Sequence, residues 1–214
     1  MTDIVDRIRA AGIVPVIKLE KAEDARPLGK ALLEGGLPVA EVTFRTNAAP
    51  EAIRLLRAEF PGMLVGAGTV LTPTQADAAL SAGAAFAVTP GFNPRVVDHC
   101  LSRGLPIVPG MNSPSQVEQG LERGLRLLKF FPAEVSGGVK MLKALHGPYA
   151  EVSFLPTGGV EPANLASYLA LPYVAAVGGS WMVKEELLLA GRWSEVSALC
   201  AEAARLAASL RPKR

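Results

Sequence analysis

The most distinctive candidate for chemistry is a lysine in apolar company. Lys129 follows Leu127 and Leu128 and precedes Phe130 and Phe131. Packed among such neighbours its side chain would be dry, and desolvation disfavours the ammonium and favours the free amine. Addition to a carbonyl carbon needs that free amine, and the imine formed next can accept an electron pair. The ordinary alternative is a lysine that reaches past its neighbours to solvent or a salt bridge. Lys18 also ends a β-rich run, so periodicity alone does not exclude it as the amine. Glu20 and the charged stretch that follows point to a wetter place, which leaves Lys129 as the better candidate.

Glu41 is the acid–base candidate. It follows Pro38, Val39 and Ala40 in an otherwise apolar run, and Arg45 lies four residues on. Even spacing along a strand points side chains to one face, so both are expected at the same mouth. A buried carboxylate needs a positive partner, which either Arg45 or Lys129 could supply. A purely structural Glu–Arg pair is the alternative. Two glycine-rich turns, Thr157-Gly158-Gly159 and Gly178-Gly179-Ser180, form the third element. Their glycines would let backbone N–H groups approach an anion such as phosphate. The two histidines, His99 in a helical stretch and His146 in the loop Leu145 to Pro148, belong to neither set. A metal site built on several histidines is therefore not expected, and Ser/His/Asp catalysis has little support.

Positioning these groups requires a regular scaffold. β-rich runs recur at Ile13 to Lys18, Val39 to Phe44, Leu64 to Ala67, Phe86 to Thr89, Pro106 to Pro109, Leu127 to Phe130, Val152 to Pro156 and Val174 to Gly178. Helix punctuation lies between them. Thr72-Pro73, Asn93-Pro94 and Ser113-Pro114 each pair a capping residue with proline at the first helical position, and the segments close at or near Gly83, Gly104 and Gly124. Asp3 to Ala11 reads as an extra N-terminal helix, and Ser194 to Leu210 as the last one, with Val196, Leu199, Ala203, Leu206 and Leu210 on one face. Eight strands alternating with helices predict a single α/β domain, a (β/α)8 TIM barrel over residues 1–214. An open Rossmann-type sheet competes, but no GxGxxG follows the first run. In a barrel the active site lies at the carboxyl ends of the strands, where Glu41, Thr69, Pro90, Lys129 and the two glycine turns fall.

Composition narrows the partners. With 22 basic and 20 acidic residues there is no nucleic-acid footprint, and the basic tail Arg211, Lys213 and Arg214 reads as a solvated end. Cys100 and Cys200 sit in helical stretches outside any CxxC pattern and read as buried, reduced thiols. The charged N-terminus lacks a signal-peptide core, and no apolar run is long enough to span a bilayer, so a cytoplasmic protein without membrane partners is expected.

Taken together, Glu41-Val42-Thr43-Phe44-Arg45-Thr46, Val65-Gly66-Ala67-Gly68-Thr69-Val70, Pro90-Gly91, Lys129-Phe130-Phe131-Pro132-Ala133-Glu134, Gly137-Gly138-Val139-Lys140, Pro156-Thr157-Gly158-Gly159-Val160 and Gly178-Gly179-Ser180-Trp181 resemble the 2-keto-3-deoxy-6-phosphogluconate (KDPG) aldolase family. That family also shows 4-hydroxy-2-oxoglutarate aldolase activity. The resemblance runs from about Ile13 to Val183. It implies that Lys129 forms a Schiff base with the C2 ketone and that Glu41 is the general acid/base. It implies that Arg45 and Thr69 bind the pyruvate carboxylate, and that Pro90, Phe131 and Thr157 line the pocket. Gly158, Gly159, Gly179 and Ser180 would hold the phosphate. Also implied are a carbon–carbon lyase with no cofactor or metal, a homotrimer, and a place in the Entner–Doudoroff route. Relatives often carry arginine at the end of the first strand, where this chain has Lys18, which supplies charge but not a planar bidentate fork. A phosphosugar isomerase or epimerase, or a non-catalytic phosphate-binding barrel, is the alternative on the same fold.

Overall fold

The computed structural model describes residues 2–210; the basic tail Arg211, Lys213 and Arg214 lies outside them. The chain runs α1 (Thr2–Ala11), β1 (Ile13–Ile17), a 3-10 turn (Ala22–Asp24), α2 (Ala25–Glu34), β2 (Val39–Thr43), α3 (Ala49–Glu59), β3 (Leu64–Gly68), α4 (Pro73–Ser81), β4 (Phe86–Val88) and α5 (Pro94–Ser102). It continues with β5 (Ile107–Val108), β6 (Gly110–Met111), α6 (Pro114–Glu122), β7 (Leu127–Phe130), α7 (Gly138–His146), β8 (Ser153–Pro156), α8 (Pro162–Leu169), β9 (Val177–Gly179), α9 (Glu185–Leu189) and α10 (Trp193–Leu210).

Two of the three cap signals form as read. Thr72 Oγ1 accepts the Gln75 N–H at 3.1 Å and Asn93 Oδ1 accepts the Arg95 N–H at 3.1 Å, each with proline at the first helical position. Ser113 departs from the expectation. Its side chain makes no cap hydrogen bond; the hydroxyl turns to Gln116 Oε1 at 3.2 Å, and that oxygen also accepts the Asn112 N–H at 2.9 Å. Gly83, Gly104 and Gly124 end the three segments at φ +85, +69 and +73, in the left-handed region that glycine enters without penalty.

All paired strands are parallel. A six-stranded sheet runs β5-β4-β3-β2-β1-β9 and a three-stranded one β6-β7-β8. The fifth run, expected as one strand over Pro106 to Pro109, is two short strands flanking Pro109. Proline has no N–H to donate to a ladder. Its carbonyl accepts the Lys129 N–H at 2.9 Å. Before it the chain pairs with β4, and after it with β7. On the other side, isolated bridges Phe154↔Val174 and Thr157↔Gly178 connect β8 with the segment that becomes β9. The last strand thus begins at Val177, three residues later than expected.

Strand pleating divides the apolar residues between two clusters. Val14, Val39, Leu64, Phe86, Leu127 and Leu155 share one, which also includes Ile8 of α1. Their alternate neighbours Ile13, Ala40, Val65, Ala87, Leu128 and Phe154 pack with the helices in the other. The first face is here termed the inner face. α1 covers the starting ends of the strands through Ile8, which is fully buried. Small and large residues interlock on the inner face: a Cβ at Gly66 would lie 2.3 Å from the Phe86 ring. Each large apolar side chain fully buried this way contributes about 2 kcal/mol.

Candidate active site

Glu41 stands two residues after Val39, and Lys129 two after Leu127, so the pleat sends both to the inner face. Lys129 is 5% exposed and Glu41 not at all. Lys129 Nζ donates to Glu41 Oε1 at 3.2 Å, and the same amine lies 5.4 Å from the centre of the Phe131 ring. Glu41 Oε2 is buried and has no hydrogen-bond partner among the described residues. Room for the carboxylate comes from Gly68 on the neighbouring strand, where a Cβ would sit 2.4 Å from Glu41 Oε1. A buried ion pair is poor value for stability, because desolvating both charges offsets their attraction. Its position at the strand ends therefore points to chemistry.

Arg45 is not the partner of Glu41. It lies beyond the end of β2, with its Nε donating to Thr43 Oγ1 at 3.1 Å, while the Thr43 hydroxyl donates to the Ile17 carbonyl at 2.8 Å. The structural Glu–Arg pair considered from sequence is absent, and Lys129 takes that place.

One cavity of about 320 Å³ gathers all the expected residues: Lys129, Glu41, Arg45, Thr69, Pro90, Phe131, Thr157, Gly158, Gly159, Gly179 and Ser180. Thr69 lies at φ +56, a left-handed conformation uncommon for a residue with a branched Cβ and concentrated at functional sites. Gly158 and Gly159 lie at φ +96 and +80, which a side chain would strain. Gly178 is needed for closeness, since a Cβ there would be 2.3 Å from Thr157 Oγ1.

Val16, Val160 and Glu161 also line the cavity and were not among the expected site residues, while Gly178 joins them from the second glycine turn. Val16 carried a usable signal: it precedes Lys18 by two, and in the sheet it is the register partner of Glu41. Glu161 had none, because nothing in its spacing separates it from an ordinary residue before a helix.

Lys18 sits at the rim, as its charged surroundings suggested. Its Nζ lies 2.7 Å from Glu185 Oε1 and 2.7 Å from Glu20 Oε1. Hydrogen bonding to Glu185 and then Glu20 raises its pKa above the usual lysine value, which keeps it charged and unsuited to carbonyl addition. His99 is in α5, with Nε2 3.0 Å from Asp77 Oδ1. His146 corrects an expectation: it is the last residue of α7, not part of a loop, and its ring stacks on Tyr173 at 3.7 Å. Cys100 and Cys200 are free and buried. Among the described residues no group of three or more His, Cys, Asp or Glu side chains is placed to share a metal ion, and no helix is long and apolar enough to cross a membrane.

Parallel α/β architecture, with an amine and a carboxylate buried together at the strand ends, is an arrangement suited to lysine-based carbonyl chemistry. Residues 4–199 match the family model described as KDPG and KHG aldolase, and the chain belongs to that family. It is 51% identical over 199 residues to the 2-dehydro-3-deoxy-phosphogluconate aldolase of Haemophilus influenzae, covering 93% of this chain and 94% of that one. It is 46% identical over 191 residues to the KHG/KDPG aldolase of Escherichia coli, covering 89% and 90%. The crystal structure of KDPG aldolase from Legionella pneumophila, with pyruvate captured as a covalent carbinolamine intermediate, superposes with a TM-score of 0.90 at 43% identity, covering 93% of this chain and 97% of that one.

Proposed function

We propose that this chain is a class I aldolase that cleaves 2-keto-3-deoxy-6-phosphogluconate to pyruvate and glyceraldehyde 3-phosphate, and that it also acts on 4-hydroxy-2-oxoglutarate. The observation that carries the mechanism is the 3.2 Å contact between Lys129 Nζ and Glu41 Oε1 in the cavity at the strand ends. At that distance the carboxylate can take a proton from the ammonium, which frees the amine lone pair for attack on the C2 carbonyl carbon. Glu41 then returns the proton so that the carbinolamine hydroxyl leaves as water, giving a protonated imine. Loss of the C4 hydroxyl proton, to Glu41 directly or through water, sends the C3–C4 bonding pair into the imine. The aldehyde departs and an enamine remains. Protonation at C3 and hydrolysis of the imine release pyruvate and restore the amine. The imine disperses the carbanion charge, so this route asks for no metal ion.

The anion contacts follow the cavity's layout. In this reading Arg45 and Thr69 bind the C1 carboxylate, and Pro90, Phe131 and Thr157 form the walls. Gly158, Gly159, Gly179 and Ser180 offer a phosphate their backbone N–H groups and a hydroxyl. Family resemblance brings a homotrimer and a cytoplasmic setting with this reading. It also favours taking the two sheets as one closed (β/α)8 barrel domain with α1 added. Pro109 alone separates β5 from β6, and the Thr157–Gly178 and Phe154–Val174 bridges span the other seam, which supports that closure.

A lactate-dehydrogenase-coupled assay tests the activity. Pyruvate should be released from the phosphorylated keto-deoxy acid and from 4-hydroxy-2-oxoglutarate, and Lys129→Met should release none. Phosphosugar binding without pyruvate release would favour a non-catalytic barrel. Interconversion of a phosphosugar without pyruvate release, retained by Lys129→Met, would favour an isomerase or epimerase.

A further inference from the structure

The segment from Ser180 to Lys184 connects β9 to α9 and carries the second anion turn. Both of its ends are fastened to the same strand. At the near end, Gly179 pairs in register with Pro15 of β1. At the far end, Glu185 receives a hydrogen bond from Lys18, one residue beyond β1, across 167 residues of sequence. In between, the Val183 N–H donates to the Ser180 carbonyl at 3.0 Å. The Trp181 ring closes over the backbone so tightly that a Cβ at Gly179 would lie 1.8 Å from it. Lys18 is not among the residues lining the catalytic cavity. It borders an adjoining cavity of about 440 Å³ that shares Val16, Arg45, Glu161 and Ser180 with the first.

We propose that Lys18 is a positioning residue, whose ion pair with Glu185 holds the Gly179–Ser180 turn where it receives the distal phosphate of the substrate. The inference rests on the aldolase reading above. Two carboxylates already neutralise the Lys18 charge, so its effect on the phosphate passes through the turn. An arginine could keep the tie, whereas a neutral side chain could not.

The test compares Lys18→Met, Lys18→Arg, Glu185→Gln and the Lys18→Met/Glu185→Gln double variant in two measurements. One is steady-state cleavage of the phosphorylated substrate; the other is borohydride inactivation with pyruvate, which lacks a distal phosphate. A partly exposed ion pair of this kind is worth about a three- to fivefold change. Lys18→Met and Glu185→Gln should each raise KM for the phosphorylated substrate by about that factor, with kcat held within about twofold and pyruvate trapping unchanged. The double variant should be no worse than either single one, and Lys18→Arg should recover most of the loss. A raised KM in Lys18→Met alone, with Glu185→Gln like wild type, would make Lys18 a direct phosphate ligand and overturn the proposal. So would unchanged KM in both, or an equal loss of pyruvate trapping. Wild-type protein that traps pyruvate while these variants behave normally removes only the role of Lys18. Wild-type protein that traps none removes the aldolase reading and this proposal with it.

Discussion

Lys129 and Glu41 are two ionisable groups almost wholly withdrawn from solvent, and each is the other's compensation. Glu41→Gln is the informative change, since it keeps the volume and a hydrogen-bond acceptor for the amine while removing the proton shuttle. Turnover should fall by about 10²–10⁴-fold, with imine trapping continuing at a reduced rate. Wild-type turnover in that variant would remove Glu41 from the mechanism. The spacing of Glu41 identified its face but left its partner open between Arg45 and Lys129. Alternation holds only while the strand lasts, and β2 ends at Thr43, two residues before Arg45. The thiols make a second residue-scale prediction. Burial, with a smaller contribution from the Asp77 charge, pushes Cys100 up to about 11, and burial pushes Cys200 up to about 12. A thiol reagent at about pH 8 should label neither in the folded protein and both after unfolding. The folded values are raised above the unfolded thiol value, so the unfolded chain releases these protons first. Their contribution to stability is complete below about pH 9 and is lost as pH rises toward 11 and 12. Urea midpoints that hold steady or rise across that window would contradict the assignment.

At the scale of elements, the helix starts separate real caps from apparent ones. Thr72 and Asn93 satisfy backbone donors that Ser113 leaves alone. Thr72→Ala and Asn93→Ala should each cost about 1 kcal/mol, while Ser113→Ala should stay within about 0.5 kcal/mol. Equal losses at all three in denaturant titrations would show that the Ser113 hydroxyl caps in solution. Sequence could not distinguish them, because a cap motif records which side chain is present and not where it turns; here Gln116 competes for the hydroxyl. The fifth strand was legible as a place but not as a form. Pro109 signals a break in the ladder only once it is known that neighbours lie on both sides.

Across the whole molecule, residues from strand ends between Val16 and Ser180 meet in one cavity. The strand-end rule made most of that set legible, since local patterning locates strands and a parallel α/β fold converts strand ends into a shared surface. What stayed hidden is what depends on distance across the chain. The Lys18–Glu185 pair joins residues 167 apart, and Glu161 reaches the cavity only through the path of the chain after Gly159. The buried Lys129–Glu41 contact spans 88 residues and is likewise a property of the folded molecule, so a covalent reaction confined to that amine tests residue, element and fold at once. Pyruvate with borohydride supplies it. Peptide mass spectrometry should locate a single reduced pyruvyl adduct on Lys129, with activity lost in step and no adduct on Lys129→Met. An adduct on Lys18, or an unmodified protein that stays active after treatment, would contradict the mechanism.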